Sequence, residues 1–207
     1  MSDFWMEFLI RVVVSAPAIL VAITIHEFAH AWVAYKLGDY TAKAEGRLSL
    51  NPLVHLDPMG TIALFVFRFG WAKPVPVSEY NFQNPVRGMM LTAIAGPLAN
   101  FFLAILGALV FYFVDTNNYL INHFIVFFVF INIALMIFNL MPIPPLDGHK
   151  IIRGLLPETL RYYWEQLEKY SLYIFLPTLI FLIYTGAIFV VVDFIVRNMI
   201  PVYRVFL

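Results

Sequence analysis

Three stretches of this chain are too long and too apolar for a water-soluble domain, and they limit the fold before any motif is read. Residues 4–37, 86–114 and 119–140 each exceed the roughly 20 residues that a helix needs to cross a bilayer. In hydrocarbon every backbone N–H and C=O must be satisfied within the segment, so such stretches are helices. Composition agrees. Of the 207 residues, 62% are hydrophobic and 13% charged, against about 45–50% and about 25% in soluble domains. A fourth span is predicted over 172–196, interrupted by Pro177, Gly186 and Asp193, and 174–207 can form one kinked span or a short helical hairpin. The predicted fold is an all-α polytopic membrane protein. It is a helical bundle of about four to five spans, with short non-helical or β-hairpin segments near the cytoplasmic face. With no internal repeat or long polar linker, the chain reads as a single domain over 1–207, with a core at 4–154 and a C-terminal helical region at 155–207.

Charge sets the orientation. Thirteen Lys plus Arg balance thirteen Asp plus Glu, so nothing points to nucleic acid. Lys36, Lys43, Arg47, Arg68, Lys73 and Arg87 cluster around the first long loop, and Lys150, Arg153, Arg161 and Lys169 follow the third span. The turn at 115–118 carries no basic residue. Basic loops stay in the cytoplasm, so both basic segments are predicted there, with the turn and the N-terminus outside. Asp3 and Glu7 make a poor start for a signal peptide, and 4–37 is read as a retained helix. The loop itself is punctuated by Asn51-Pro52 and Asp57-Pro58. Alternation over 44–50 predicts a small strand or hairpin arm. Residues 59–69 are apolar but too short to span, and the prolines of 71–76 exclude regular helix.

Within the first span lies His26-Glu27-Phe28-Ala29-His30. Positions i and i+4 share a helix face, so His26 and His30 can aim two imidazoles at one metal ion, with Glu27 beside them as a base. Ionisable side chains in a span are costly and default to function. The chain has no cysteine, so a zinc site must draw on His, Asp or Glu. His26 lies ten residues before Lys36, about 15 Å along the axis.

A catalytic zinc takes three protein ligands, and the candidates for the third are His55, Asp57, His123, Asp147 and His149. His123 falls at the external end of its span. His55 and Asp57 lie on a loop that can fold back but read more simply as solvated. His149 reads as a surface residue, with a role behind the ligands as the alternative. Asp147 emerges on the correct side, on extended backbone after Pro142, Pro144 and Pro145 break the helix. With His26, His30 and Asp147 on one zinc per chain, Glu27 takes a proton from a metal-activated water and passes one to the leaving amine. Asn100 and Asn139 are candidate donors to substrate backbone or oxyanion. Equally, they can satisfy carbonyls freed by Pro97 and Pro142.

His26–His30 together with the Asn139-Leu-Met-Pro-Ile-Pro-Pro-Leu-Asp147-Gly148 run resembles the site-2 proteases, intramembrane zinc metalloproteases. Gly46-Arg47-Leu48-Ser49-Leu50-Asn51-Pro52, Trp71-Ala72-Lys73-Pro74-Val75-Pro76 and Ala95-Gly96-Pro97-Leu98-Ala99-Asn100 resemble a short, minimal branch without PDZ or nucleotide-sensing domain. The resemblance covers about 23–154. His149 and Lys150 depart from it where a second glycine is common. It implies zinc on His26, His30 and Asp147, Glu27 as catalytic base, and regulated intramembrane proteolysis of transmembrane substrates in a prokaryotic plasma membrane. Rival readings are a metal transporter and an inactive protein that holds membrane clients. A helical substrate must unwind before cleavage, which predicts helix-weak residues near the scissile bond. Residues 142–146 and 44–50 are candidate strand edges for pairing with the unwound segment.

Overall fold

The computed structural model describes residues 3–67, 70–114 and 118–200. Arg68, most of the 115–118 turn and the last seven residues lie outside these, as do the side chains of Glu7 and Arg11. Regular structure among the described residues is helical: α1 (Asp3–Lys36), α2 (Thr41–Ala44), α3 (Pro58–Phe67), α4 (Pro85–Phe113), α5 (Tyr119–Leu140), α6 (Asp147–Leu155), α7 (Glu158–Gln166), α8 (Ser171–Thr185) and α9 (Ala187–Met199). Four segments are long and apolar enough to cross a membrane: Ser15–Lys36, Pro85–Phe113, Leu120–Leu140 and Glu158–Thr185.

The helices α1, α4 and α5 form the central bundle, and α6 lies against α4. α9 closes the far side of α5, where Val192, Val196 and Ile200 pack on Ala104, Val126, Val129 and Ile133. The spans start where the chain supplies caps. Asn84 accepts from the Arg87 N–H ahead of Pro85 at the first turn of α4, and Asn118 accepts from Leu120 and Ile121 at the start of α5.

Two expectations change. The fourth apolar segment begins at Glu158 and stops at Thr185, because Gly186 adopts a left-handed conformation (φ +64°) that ends α8 and lets α9 begin afresh. The question of one kinked span or two helices resolves to two helices. Leu172, Tyr173, Leu176, Ile180, Ile183 and Tyr184 stay exposed around α8, which suits a helix surrounded by lipid. The strand over 44–50 is also replaced. After α2 the chain turns at Gly46 (φ +68°), and the sole bridge in this loop among the described residues joins Leu56 to Ala72. The polar side chains of 39–57 bond to nearby backbone instead, which competes with strand pairing.

Candidate metal centre and catalytic cavity

Spacing on two helices creates the site. α1 buries Ala18, Ala22, His26, His30 and Ala34 in one four-residue stripe. α4 answers with Gly88, Thr92, Gly96, Asn100 and Ala104 at the same spacing. Small side chains let the two backbones approach closely. At Gly96 the approach leaves no room for even a methyl group: a Cβ there would lie 2.6 Å from His26 Nε2, and nearer still to His30 Nε2.

The third member of the cluster arrives after the prolines. Asp147 does not sit on extended backbone as expected; it is the first residue of α6, after an extended Leu146 (φ −68°, ψ 159°). The prolines end α5, and helix resumes two residues after Pro145, because a proline before the N-cap removes no intrahelical donor. Gly148 permits the tight return, because a Cβ there would collide with the Leu140 and Met141 carbonyl oxygens. The segment 142–146 is consequently folded in turns, with Ile143 N–H donating to Met141 O and Leu146 N–H to Ile143 O. It offers no open strand edge.

His26 Nε2, His30 Nε2 and Asp147 Oδ2 converge. The two nitrogens are 3.0 Å apart, and Asp147 Oδ2 lies 3.3 Å from His26 Nε2 and 3.1 Å from His30 Nε2. All three residues are buried. Zinc bonds to such ligands are about 2.0–2.1 Å, which puts neighbouring tetrahedral donors about 3.3 Å apart. The tautomers agree. His30 Nδ1–H donates to the Thr92 carbonyl (2.7 Å), and His26 Nδ1–H to Asn100 Oδ1 (2.6 Å). Both Nε2 atoms therefore turn bare lone pairs toward each other and toward a carboxylate. That arrangement is repulsive unless a cation sits among them. These donors fit zinc.

Asn100 is a correction. It is fully buried behind His26, and its amide N–H groups donate to Ala22 O (3.2 Å) and Asn132 Oδ1 (2.9 Å). With its oxygen on His26, nothing remains for an oxyanion. It orients the His26 ring instead. Asn139 does line the cavity, while giving one N–H to Leu135 O. His149 is also corrected: it is 1% exposed, stacked on Trp164 at 5.1 Å, and near Glu168. Its aromatic face finds a partner on α7 that sequence spacing does not reveal. His55 is buried rather than solvated, its Nε2 donating to Ser49 O (2.8 Å), and Asp57 caps α3 by accepting from the Gly60 N–H (2.7 Å). Neither belongs to the His26–His30–Asp147 cluster. His123 lies at the opposite end of α5 from Asn139.

A cavity of about 370 Å³ opens over the cluster, lined also by Glu27, Pro74, Val75, Met89 and Lys150. The strand-poor loop crosses it as a strap. Lys73 N–H donates to His55 O, Val75 N–H to Glu27 Oε2 (3.1 Å), and Ser78 N–H to Asp39 Oδ2 (2.8 Å). Arg47 Nη2 donates to the carbonyls of Lys73 and Pro74. Sequence reading misses the Thr92 carbonyl and the Val75 amide, because backbone donors and carbonyls carry no residue signature, and it misses Asn132, whose partner Asn100 is far away in the chain.

Comparison with known proteins agrees with the geometry. Residues 114–182 match the description Peptidase family M50. The chain is 42% identical over 166 residues to YwhC of Bacillus subtilis, covering 76% of each chain. It is 32% identical over 149 residues to Rip2 of Mycolicibacterium smegmatis, covering 69% of this chain and 57% of the relative. Both carry zinc metalloprotease in their names. It is 29% identical over 146 residues to the zinc metalloprotease MJ0392 of Methanocaldococcus jannaschii, 70% of this chain but 34% of the relative. No solved structure matches. The chain belongs to peptidase family M50, the site-2 proteases, and is a multi-pass zinc metalloprotease. It spans little more than half the length of the mycobacterial relative.

Proposed function

We propose that this chain is one intramembrane endopeptidase domain that hydrolyses peptide bonds in or near transmembrane segments of membrane proteins, as in regulated intramembrane proteolysis. The observation that carries the reading is the convergence of His26 Nε2, His30 Nε2 and Asp147 Oδ2 beneath a cavity that Glu27 also lines. His26, His30 and Asp147 hold the zinc. When bound, zinc supplies Lewis acidity for the scissile carbonyl and for the attacking water.

Glu27 does the proton work. Its carboxylate takes a proton from water as the new C–O bond forms, then gives it to the amine nitrogen as the C–N bond breaks. Val75 N–H fixes one of its oxygens. Asn139, with one amide N–H still unassigned after Leu135, binds the substrate backbone. Asn100 holds the His26 ring, and Thr92 the His30 ring. The non-helical strap and the half-enclosed cavity take an unwound segment, which favours substrates with helix-weak residues at the cut. The basic loops support a site on the cytoplasmic side, and the membrane of this reading is a prokaryotic plasma membrane.

The test compares purified wild type with Glu27→Gln, measuring zinc content and cleavage of a transmembrane substrate. Both should hold about one zinc per chain, and only wild type should cleave. Zinc-loaded wild type that cleaves nothing across a substrate panel would overturn the proposal.

A further inference from the structure

We propose that Arg47 is a positioning residue for Glu27, acting through the single peptide unit between Pro74 and Val75. The inference rests on Glu27 being the catalytic base.

Arg47 is 4% exposed, and its Nε and Nη1 have no hydrogen-bond partner. Among the described residues no carboxylate pairs with it. A buried guanidinium without a counter-charge is costly, so its remaining contacts must matter. They are the carbonyl oxygens of Lys73 and Pro74. The second of these belongs to the same planar unit as the Val75 N–H. A cation therefore grips one edge of this peptide, at 3.3 Å from the oxygen, while the Glu27 carboxylate accepts from its other edge at 3.1 Å. Each bond polarises the next. Rotation of one rigid plane then couples the two side chains.

The neighbouring residues leave no substitute. Pro74 and Pro76 flank Val75 and have no N–H of their own, so a one-residue slip of the strap brings no donor to Glu27. The strap is pinned elsewhere by Lys73 N–H on His55 O and Ser78 N–H on Asp39. Those contacts fix its course on either side, and neither touches the Pro74–Val75 plane itself. Arg47 sets the tilt of that plane and so the rotation of the carboxylate.

The experiment uses the full chain in a bilayer, a transmembrane peptide substrate, and four readouts: zinc content, kcat, KM and hydrogen exchange across the strap. Lys73, Val75 and Val77 carry the exchangeable amides of 73–77, so the Val75 signal is easily separated. Arg47→Leu should lower kcat about 10- to 100-fold, leave KM and zinc unchanged, and speed exchange at Val75. Arg47→Lys, which keeps the charge and can reach one carbonyl, should recover part of the rate. Val75→Pro removes the N–H while leaving the carbonyl. It should lower kcat similarly, and Arg47→Leu should add little in that background. Unchanged kcat, a rise in KM alone, additive losses, or unaltered Val75 exchange would each overturn the proposal. If Arg47→Leu does not fold, Arg47→Lys decides by kcat, KM, zinc content and Val75 exchange, and Val75→Pro by kcat, KM and zinc content. Wild type that cleaves while Glu27→Gln does not keeps the protease reading intact whatever the Arg47 variants do; inactive wild type removes that reading itself.

Discussion

At position 96 one methyl group decides whether two histidines can share a face with α4. A Cβ at Gly96 would overlap both Nε2 atoms, so Gly96→Ala should abolish zinc binding, read by metal content, while the protein still inserts in the membrane. Retained stoichiometric zinc would mean that α1 can shift to accommodate it. Behind the ligands, Asn100 uses all it has: its oxygen on His26, its nitrogen on Ala22 and Asn132. Partners of this kind typically hold 10–100-fold of metal affinity. Asn100→Ala should therefore weaken zinc by about 10- to 100-fold in chelator competition, and Asn132→Leu by less, since Ala22 still anchors Asn100. Equal effects would argue against a graded chain. At this scale the reading of His26, Glu27, His30 and Asp147 rests on side-chain chemistry, and the structure brings His26, His30 and Asp147 together beneath a cavity that Glu27 lines. Sequence reading misplaces Asn100 because a carboxamide serves a ligand and a substrate equally well. Only its neighbours decide between them.

Among the elements, the loop between α1 and α4 behaves as a clamped strap rather than a hairpin. Asp39 is its fixed point. It is fully buried and accepts from Thr41, Ser78 and Asn81. Burial disfavours its charge, but those donors prevail and hold its carboxyl below the ordinary value. Its stabilisation is thus fully present above the unfolded value of about 3.9 and is lost as pH falls through the lower folded value. Asp39→Asn should cost about 1–3 kcal/mol at pH 6, with the difference from wild type shrinking toward pH 3 in thermal unfolding. A difference independent of pH would remove Asp39 as the clamp. At the other end, Arg153 joins Glu79 to Glu165, each at 2.6 Å, tying the strap to α6 and α7. This pairing spans 74 residues, and no local pattern announces it. The four apolar spans and the break at Gly186 follow from length, hydropathy and glycine. The absence of a strand does not, because 44–50 alternates suitably yet finds no partner strand.

For the whole molecule, zinc on the proposed ligands would staple α1 to α6. Removing it should leave three buried donors facing one another, so chelation should lower the melting temperature of wild type, and zinc should restore it. His26→Ala should show no such response; a zinc-dependent shift in that variant would point to another site. Topology is equally testable, because the chain has no native cysteine. Single cysteines at the exposed positions Glu45 and Glu158 should label from the cytoplasmic side, and at Asn118 from the opposite side. Labelling of all three from one side would refute the orientation. The sequence by itself determined a membrane-spanning helical protein, a histidine pair on one helix face with its base, and an aspartate delivered after a proline break. Those follow from hydropathy, helical period and backbone rules, all of which act locally. Only the tertiary structure decided that Asp147 reaches the histidines, that Asn100 and Thr92 fix their tautomers, and that the Val75 amide meets Glu27. These depend on how closely α1, α4 and the strap approach, and such distances are set by packing between segments far apart in the chain.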